Sequence, residues 1–533
     1  MKRALRGALA ALLVAAAAPV VAAPAPASEA VTPVDQIVER RGQVTIAGKP
    51  LRYTTRTGLM PLYDNDTGEL IARMFFVAYV ADRSPGEATR PLTFLWNGGP
   101  GSSASQVHLV GFGPKGFKAP ATYPEWTAPP AEIVDRPDTW LASSDLVFVD
   151  PIGTGYSRAT SDAWRDVLYT KTGDAEAVAE LIRLYRTRYD AFDAPLFLAG
   201  ESYGTTRAME VAGVLARRRT PVAGVVLISG EYEVGQQVPA GLQAALEVPL
   251  FAATAWYHKR LPPDLQALPR DELVNRATAW AKGSYAPALA RKDTLTPAER
   301  TAVLAELQRF TAVDSKYVDA QRLTLSKADY MDHLLDASGE ELGRYDSRMV
   351  VKQRDPSLGP WLPTMDPSLG PMIGIMQGTS VAMIRYIRDT LGYRSDLMYR
   401  GPFGEAFHPK PLVASPRGLP DDWMAAMWEN GLKSPAPDAK PPVRALGQSD
   451  APPLRRAMDQ QPNLLVFNVR GLYDISCAAA DEAVARSPAG IRERVRNRCY
   501  AAGHMLYTDE ALRRDLARDF DQFVRDGAAR WRP

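Results

Sequence analysis

Leu196-Phe197-Leu198-Ala199-Gly200-Glu201-Ser202-Tyr203-Gly204 is the stretch on which the reading of this chain turns. An apolar run from Pro195 to Ala199 ends in Gly-x-Ser-x-Gly, and residues 205–219 then carry the pattern of a helix. A strand, a sharp turn and a helix with serine at the turn lift a hydroxyl clear of a sheet. Gly200 and Gly204 suit that turn, because larger side chains would collide with the adjoining strand or helix. Ser202 then stands near the positive end of the helix. A Gly/Ser turn of this kind also arises by chance, so the rest of the chain must decide.

Working outward, residues 44–55 and 70–81 read as early antiparallel strands, with Asp64-Asn65-Asp66-Thr67-Gly68 as the turn between them. Residues 91–96 form a further strand that runs into Asn97-Gly98-Gly99-Pro100-Gly101. A proline-rich surface loop follows at 118–138, then a buried strand at 145–150, a helix at 174–189 and another apolar strand at 222–229. Strands alternating with helices imply a mostly parallel sheet covered on both faces. The pattern changes between 231 and 455. Helices at 241–257, 297–310 and 380–391 alternate there with Pro/Gly loops, including Asp-Pro-Ser-Leu-Gly-Pro at 355–360 and again at 366–371. A proline-rich linker at 434–453 closes this segment. Core strands resume at 463–469 and 494–501, and an amphipathic helix at 509–526 ends the chain. The expected organisation is an α/β core at 28–230 and 456–533, interrupted by a helical insertion at 231–455 that covers one rim.

The chain has 533 residues, 46% hydrophobic and 23% charged, within the ordinary range for a globular protein. Lys+Arg 63 against Asp+Glu 61 leaves +2, with no dense basic block, which argues against nucleic acid as a partner. Lys2, Arg3 and Arg6 precede an Ala/Leu/Val run to Ala23, and Ala25-x-Ala27 offers cleavage before Ser28. Residues 1–27 therefore read as a secretory signal peptide. The expectation is an exported protein, periplasmic or secreted, with no membrane association after cleavage. Only two cysteines are present, Cys477 and Cys499.

A serine nucleophile needs a base, and the base needs an orienting acid. After the serine, acid and then histidine should follow, each on a loop beyond a strand. Of the five histidines, His504 lies after the last strand, in Ala501-Ala502-Gly503-His504-Met505. The strand at 463–469 leads to Asp474, with Asp481 as the fallback acid. Ser202, Asp474 and His504 are thus the expected triad. The oxyanion hole needs two backbone N–H donors. Tyr203 supplies one, and the glycine-rich loop at 97–101 supplies the other. That loop lacks the Lys and Ser/Thr of a phosphate-binding loop. The chemistry calls for no cofactor and no metal.

Four motifs in order carry a resemblance. Asn97-Gly98-Gly99-Pro100-Gly101-Ser102-Ser103, Asp150-Pro151-Ile152-Gly153-Thr154-Gly155-Tyr156-Ser157, Gly200-Glu201-Ser202-Tyr203-Gly204 and Gly503-His504-Met505 resemble the serine carboxypeptidase family, as an exported, bacterial-type member. The resemblance implies an α/β-hydrolase fold with a helical insertion, and removal of single residues from a peptide with a free C-terminus. It also implies Gly99 as the second oxyanion donor, and Asn97 and Glu201 as the groups that bind the substrate carboxylate. Cys477, three residues after Asp474, matches a free cysteine near the family's site, so inhibition by thiol reagents is favoured over a Cys477–Cys499 bridge.

Three departures stand out. Ser102 replaces a cysteine. Leu506-Tyr507 replace a small apolar residue and proline. Gly111 stands where a glutamate would pair with the Glu201 equivalent. Without that partner Glu201 should titrate near the ~4.3 of a free glutamate unless burial lifts it, and Gly111→Glu should carry the peptidase limb upward in pH. An esterase or acyltransferase would use the same elbow and triad. A binding protein without activity would not need a complete triad.

Overall fold

The computed structural model describes residues 31–84, 86–118, 132–230, 238–352, 368, 381–401 and 451–531. The leader, the turn at 355–360, all of the turn at 366–371 except Ser368, and most of the linker at 434–453 fall outside the described residues.

The fold is that of an α/β-hydrolase. From one edge its sheet runs Val38–Ile46, Lys49–Tyr63, Leu70–Ala81, Asp145–Val149, Leu92–Trp96, Leu196–Glu201, Gly224–Ile228, Leu465–Gly471 and Val495–Tyr500. The first three ladders along this path are antiparallel. Every ladder from Asp145–Val149 onward is parallel. The stretch 44–55, expected as part of one strand, is instead a hairpin turning at Ala47-Gly48, with φ of 47° and 77°. Two successive positive φ values match the right-handed twist of the flanking strands. Ala-Gly lacks the Asn-Gly signature of such turns, which hid it.

Helix starts follow local chemistry. Thr170 caps Lys171–Arg188 by accepting from the Gly173 N–H. Pro297–Thr311 opens with a reciprocal capping box between Thr296 and Glu299, and proline occupies its first turn.

Apolar cores lie on both faces of the sheet. One gathers Phe75, Phe148, Phe467 and Phe520; the other gathers Phe94, Ile182, Leu198, Val211 and Leu227. Helices between Ala240 and His333 pack around a separate core that includes Phe251, Leu273, Phe310 and Tyr330. Among the described residues no helix is long and apolar enough to cross a membrane.

Leu92–Trp96 lies between Asp145–Val149 and Leu196–Glu201, so the chain turns first to one side of it and then to the other. At such a reversal the loops beyond the strands part, and ligands of open α/β sheets bind there, outside the carboxyl ends. Asn97, Ser202, Asp474 and His504 all follow carboxyl ends of sheet strands.

Candidate active site

Ser202 adopts φ 59° and ψ −129° at the junction of Leu196–Glu201 and the helix Tyr203–Arg217. A non-glycine residue holds such a conformation only when its surroundings enforce it. Its N–H donates to Ile228 O at 2.9 Å. A Cβ on Gly200 would lie 1.9 Å from Gly204 O, and one on Gly204 would lie 2.9 Å from the Trp96 ring. Trp96 Nε1 donates to Gly204 O at 2.8 Å. The elbow helix is held in turn by Arg207, which pairs with buried Asp174 at 2.7 Å and donates to Asn97 O.

The glycine-rich loop rests directly on this turn, since a Cβ on Gly98 would lie 2.4 Å from Tyr203 N. Gly99 and Tyr203 are thereby brought together beside Ser202, and the Gly99 N–H has no acceptor among the described residues. The Asp150–Ser157 motif supports this loop from behind. Asp150 Oδ1 accepts from Ala104 N at 2.8 Å, and the Ser157 hydroxyl donates to Asp150 O at 2.6 Å. Burial pushes the Asp150 carboxyl up to about 7.

Asp474 Oδ2 lies 2.8 Å from His504 Nδ1, both side chains buried. The fallback acid, Asp481, accepts from Asn497 Nδ2 instead. His504 Nε2 stands 3.8 Å from Glu201 Oε1. Among the described residues Ser202 Oγ has no hydrogen-bond partner, and such contacts commonly tighten only with substrate in place. Burial alone would lower the His504 pKa, but the Asp474 carboxylate, with Glu201, outweighs it and holds it above the usual 6.5. The other histidines have structural surroundings. His108 stacks on Phe148, His258 bonds Ser347 O, and His333 stacks on Tyr317. His408 is outside the described residues.

Residues 327–348, which carry no recognisable motif, stitch the two catalytic loops together. His504 N donates to Tyr345 O at 2.8 Å, and the Tyr345 ring meets the His504 ring edge-on at 5.2 Å. Ser347 N donates to Tyr473 O at 2.9 Å, and Arg348 donates to Ala501 O. The Lys327 ammonium donates to Asp474 O.

Cys477 and Cys499 are joined by a disulfide, which corrects the expectation of a free thiol. The parallel ladder between Leu465–Gly471 and Val495–Tyr500 brings Cys499 beside the helix that begins at Cys477. The bridge thus ties the chain just after Asp474 to the strand leading to His504. In unfolded protein without reductant, neither cysteine should be alkylated; labelling of either would mean that the bridge is not formed. Replacing both by alanine should cost about 3 kcal/mol, from a loop with sequence separation 22.

Asn97 Nδ2 donates to Glu201 Oε2 at 2.8 Å, and Asn97 Oδ1 accepts from Val107 N at 3.0 Å, so the amide orientation is fixed. For Glu201 the stated exception applies: burial raises its pKa, against the opposing pull of His504 and Asn97. The fold also bears on the Gly111→Glu expectation. A Cβ on Gly111 would meet the Tyr507 ring at 3.6 Å, an ordinary contact, so a longer side chain there would have to share its space with that ring. Tyr507 is the functional candidate that the motifs missed. Its only signal in the sequence was the departure after His-Met.

Residues 48–218 match the family model described as serine carboxypeptidase. Serine carboxypeptidase-like 16 of Arabidopsis thaliana is 28% identical over 156 residues, covering 29% of this chain and 33% of that one. A pheromone-processing carboxypeptidase of Talaromyces marneffei is 28% identical over 169 residues, covering 30% and 25%. The chain therefore spans a third or less of the length of these relatives. A prohormone-processing carboxypeptidase from Saccharomyces cerevisiae aligns structurally with a TM-score of 0.49 at 15% identity, over 88% of this chain and 91% of that one.

Proposed function

We propose that this protein is an exported serine carboxypeptidase that releases C-terminal residues from peptides through an acyl-enzyme on Ser202. His504 takes the hydroxyl proton, Asp474 orients the imidazole, and the Gly99 and Tyr203 N–H groups receive the oxyanion. The single observation that carries the substrate class is the buried Asn97–Glu201 pair, joined at 2.8 Å directly beside the elbow and 3.8 Å from His504 Nε2. An amide and a protonated carboxyl are both donors to a carboxylate, and an esterase would have no use for them there. The basic, apolar leader and the disulfide support export.

The test compares kcat/KM for a blocked dipeptide, its C-terminal amide and a simple ester. The free acid should be preferred over the amide by at least 10-fold, in line with a hydrogen bond to a charged group. Equal cleavage of acid and amide would replace the carboxypeptidase reading with a broader acyl hydrolase.

A further inference from the structure

Gly111 and Tyr507, two separate departures in the sequence, meet in the fold. Gly111 lies in the turn Gln106–Phe112 and Tyr507 in the turn Leu506–Thr508, and a Cβ on the first would touch the ring of the second. The ring is held firmly. It is fully buried, meets Phe112 edge-on at 5.3 Å, and its own carbonyl accepts from Arg513 Nη1 at 3.0 Å. Arg513 is fixed by its buried pairing with Asp138 at 2.7 Å.

The hydroxyl is the unusual feature. It is buried with no hydrogen-bond partner of good geometry among the described residues, and the polar groups that act on it are Glu201 and Asn97. Such a group opposes folding, and phenylalanine would fill the same volume without that cost. Meanwhile Glu201 has a demanding position. One of its oxygens accepts from Asn97, and the other faces His504 Nε2 at 3.8 Å. When the histidine carries a proton during turnover, it pulls on that oxygen, against the hold of the Asn97 amide and the Gly98 backbone.

We propose that the Tyr507 hydroxyl is a positioning group of the carboxylate pocket, occupying the space that Gly111 leaves open and holding Glu201 and Asn97 in line for the C-terminal carboxylate of a peptide. Its phenol stays neutral, because burial pushes its pKa far above the ordinary value. It therefore supplies a donor and an acceptor with no second negative charge beside Glu201. Being buried, it acts through those two side chains rather than on the substrate.

The inference rests on the carboxypeptidase reading, and the experiment separates the two. Wild type and Tyr507→Phe are assayed on a blocked dipeptide, its amide and a simple ester, with inhibition of ester hydrolysis by a free amino acid and by its amide. The expected result for Tyr507→Phe is a KM for the free acid raised about tenfold with kcat within about twofold. Inhibition by the free amino acid weakens by about the same factor, while ester and amide hydrolysis hold. Melting temperature should be unchanged or higher. Gly111→Leu, which displaces the ring but keeps its hydroxyl, should produce the same selective loss. An equal fall on all three substrates would make Tyr507 a packing residue and overturn the proposal, as would no change on any. If wild type itself fails to distinguish acid from amide, the carboxypeptidase reading falls and the proposal with it.

Discussion

Ser202→Ala and His504→Ala are each expected to lower kcat by about 10⁴–10⁶, and the double variant should be little worse than either single. The two residues act as one unit, so once either is gone the other has no partner to activate. Asp474→Asn should cost on the order of 10⁴. Asp474 Oδ2 accepts from His504 Nδ1 at 2.8 Å, which leaves Nε2 free to receive the serine proton. An asparagine amide in that place donates instead and stabilises the opposite tautomer. The three variants should fold normally, since the loops around them are held by backbone bonds to Tyr345 and Ser347 and by the Cys477–Cys499 bridge. Labelling by a fluorophosphonate probe separates the roles: Ser202→Ala should not react at all, and His504→Ala should react very slowly. Turnover of Asp474→Asn near the wild-type rate would move the acid elsewhere.

The second large effect concerns pH and the kind of substrate. Glu201 and His504 face each other at 3.8 Å, and both have raised pKa values, Glu201 through burial and His504 through Asp474 and Glu201 against its burial. Groups this close titrate as a pair. With both protonated, the histidine cannot act as base, and all activity should vanish as pH falls through the raised His504 value. With one proton between them, an incoming carboxylate draws it to Glu201, which becomes a donor while His504 becomes the base. With none, the histidine is still a base but ionised Glu201 repels the substrate carboxylate.

Peptide hydrolysis should therefore fall on both sides of an optimum, whereas ester hydrolysis should show the acid limb alone. Glu201→Gln keeps a donor and removes the charge. It should abolish the alkaline fall on peptides, and it should shift the acid limb of both substrates downward, because the carboxylate that helps raise His504 is gone. Glu201→Ala or Asn97→Ala should cost about 10- to 100-fold on free-carboxylate peptides and much less on esters. Profiles of kcat/KM against pH decide the matter. Parallel peptide and ester curves would remove Glu201 from carboxylate recognition.

What the sequence by itself determined is the part governed by local stereochemistry and by order along the chain. Ser202 requires its strained turn because Gly200 and Gly204 permit contacts that no other residue could make. Alternating apolar strands and helices led to the parallel sheet, and the order of strands put Asp474 and His504 at carboxyl ends beside it. The hairpin at Ala47-Gly48 escaped because its turn residues lack the usual signature, although its strands are regular.

Only the tertiary structure decided the rest, because it depends on which distant residues share a small volume. Gly111 and Tyr507 read as two unrelated losses until packing of their turns set ring against backbone. Burial, which no motif encodes, decided between the two alternatives for Glu201 and raised its pKa. Resemblance favoured a free Cys477, but the register of two parallel strands set Cys499 beside it. Tyr345 and Ser347 reach the catalytic loops from the insertion through a backbone carbonyl and an N–H group, contacts available to many side-chain sequences, and the Lys327 ammonium reaches the Asp474 carbonyl. Local geometry writes itself into residue identity, whereas contacts made by backbone atoms and shared space do so only when the folded chain brings them together.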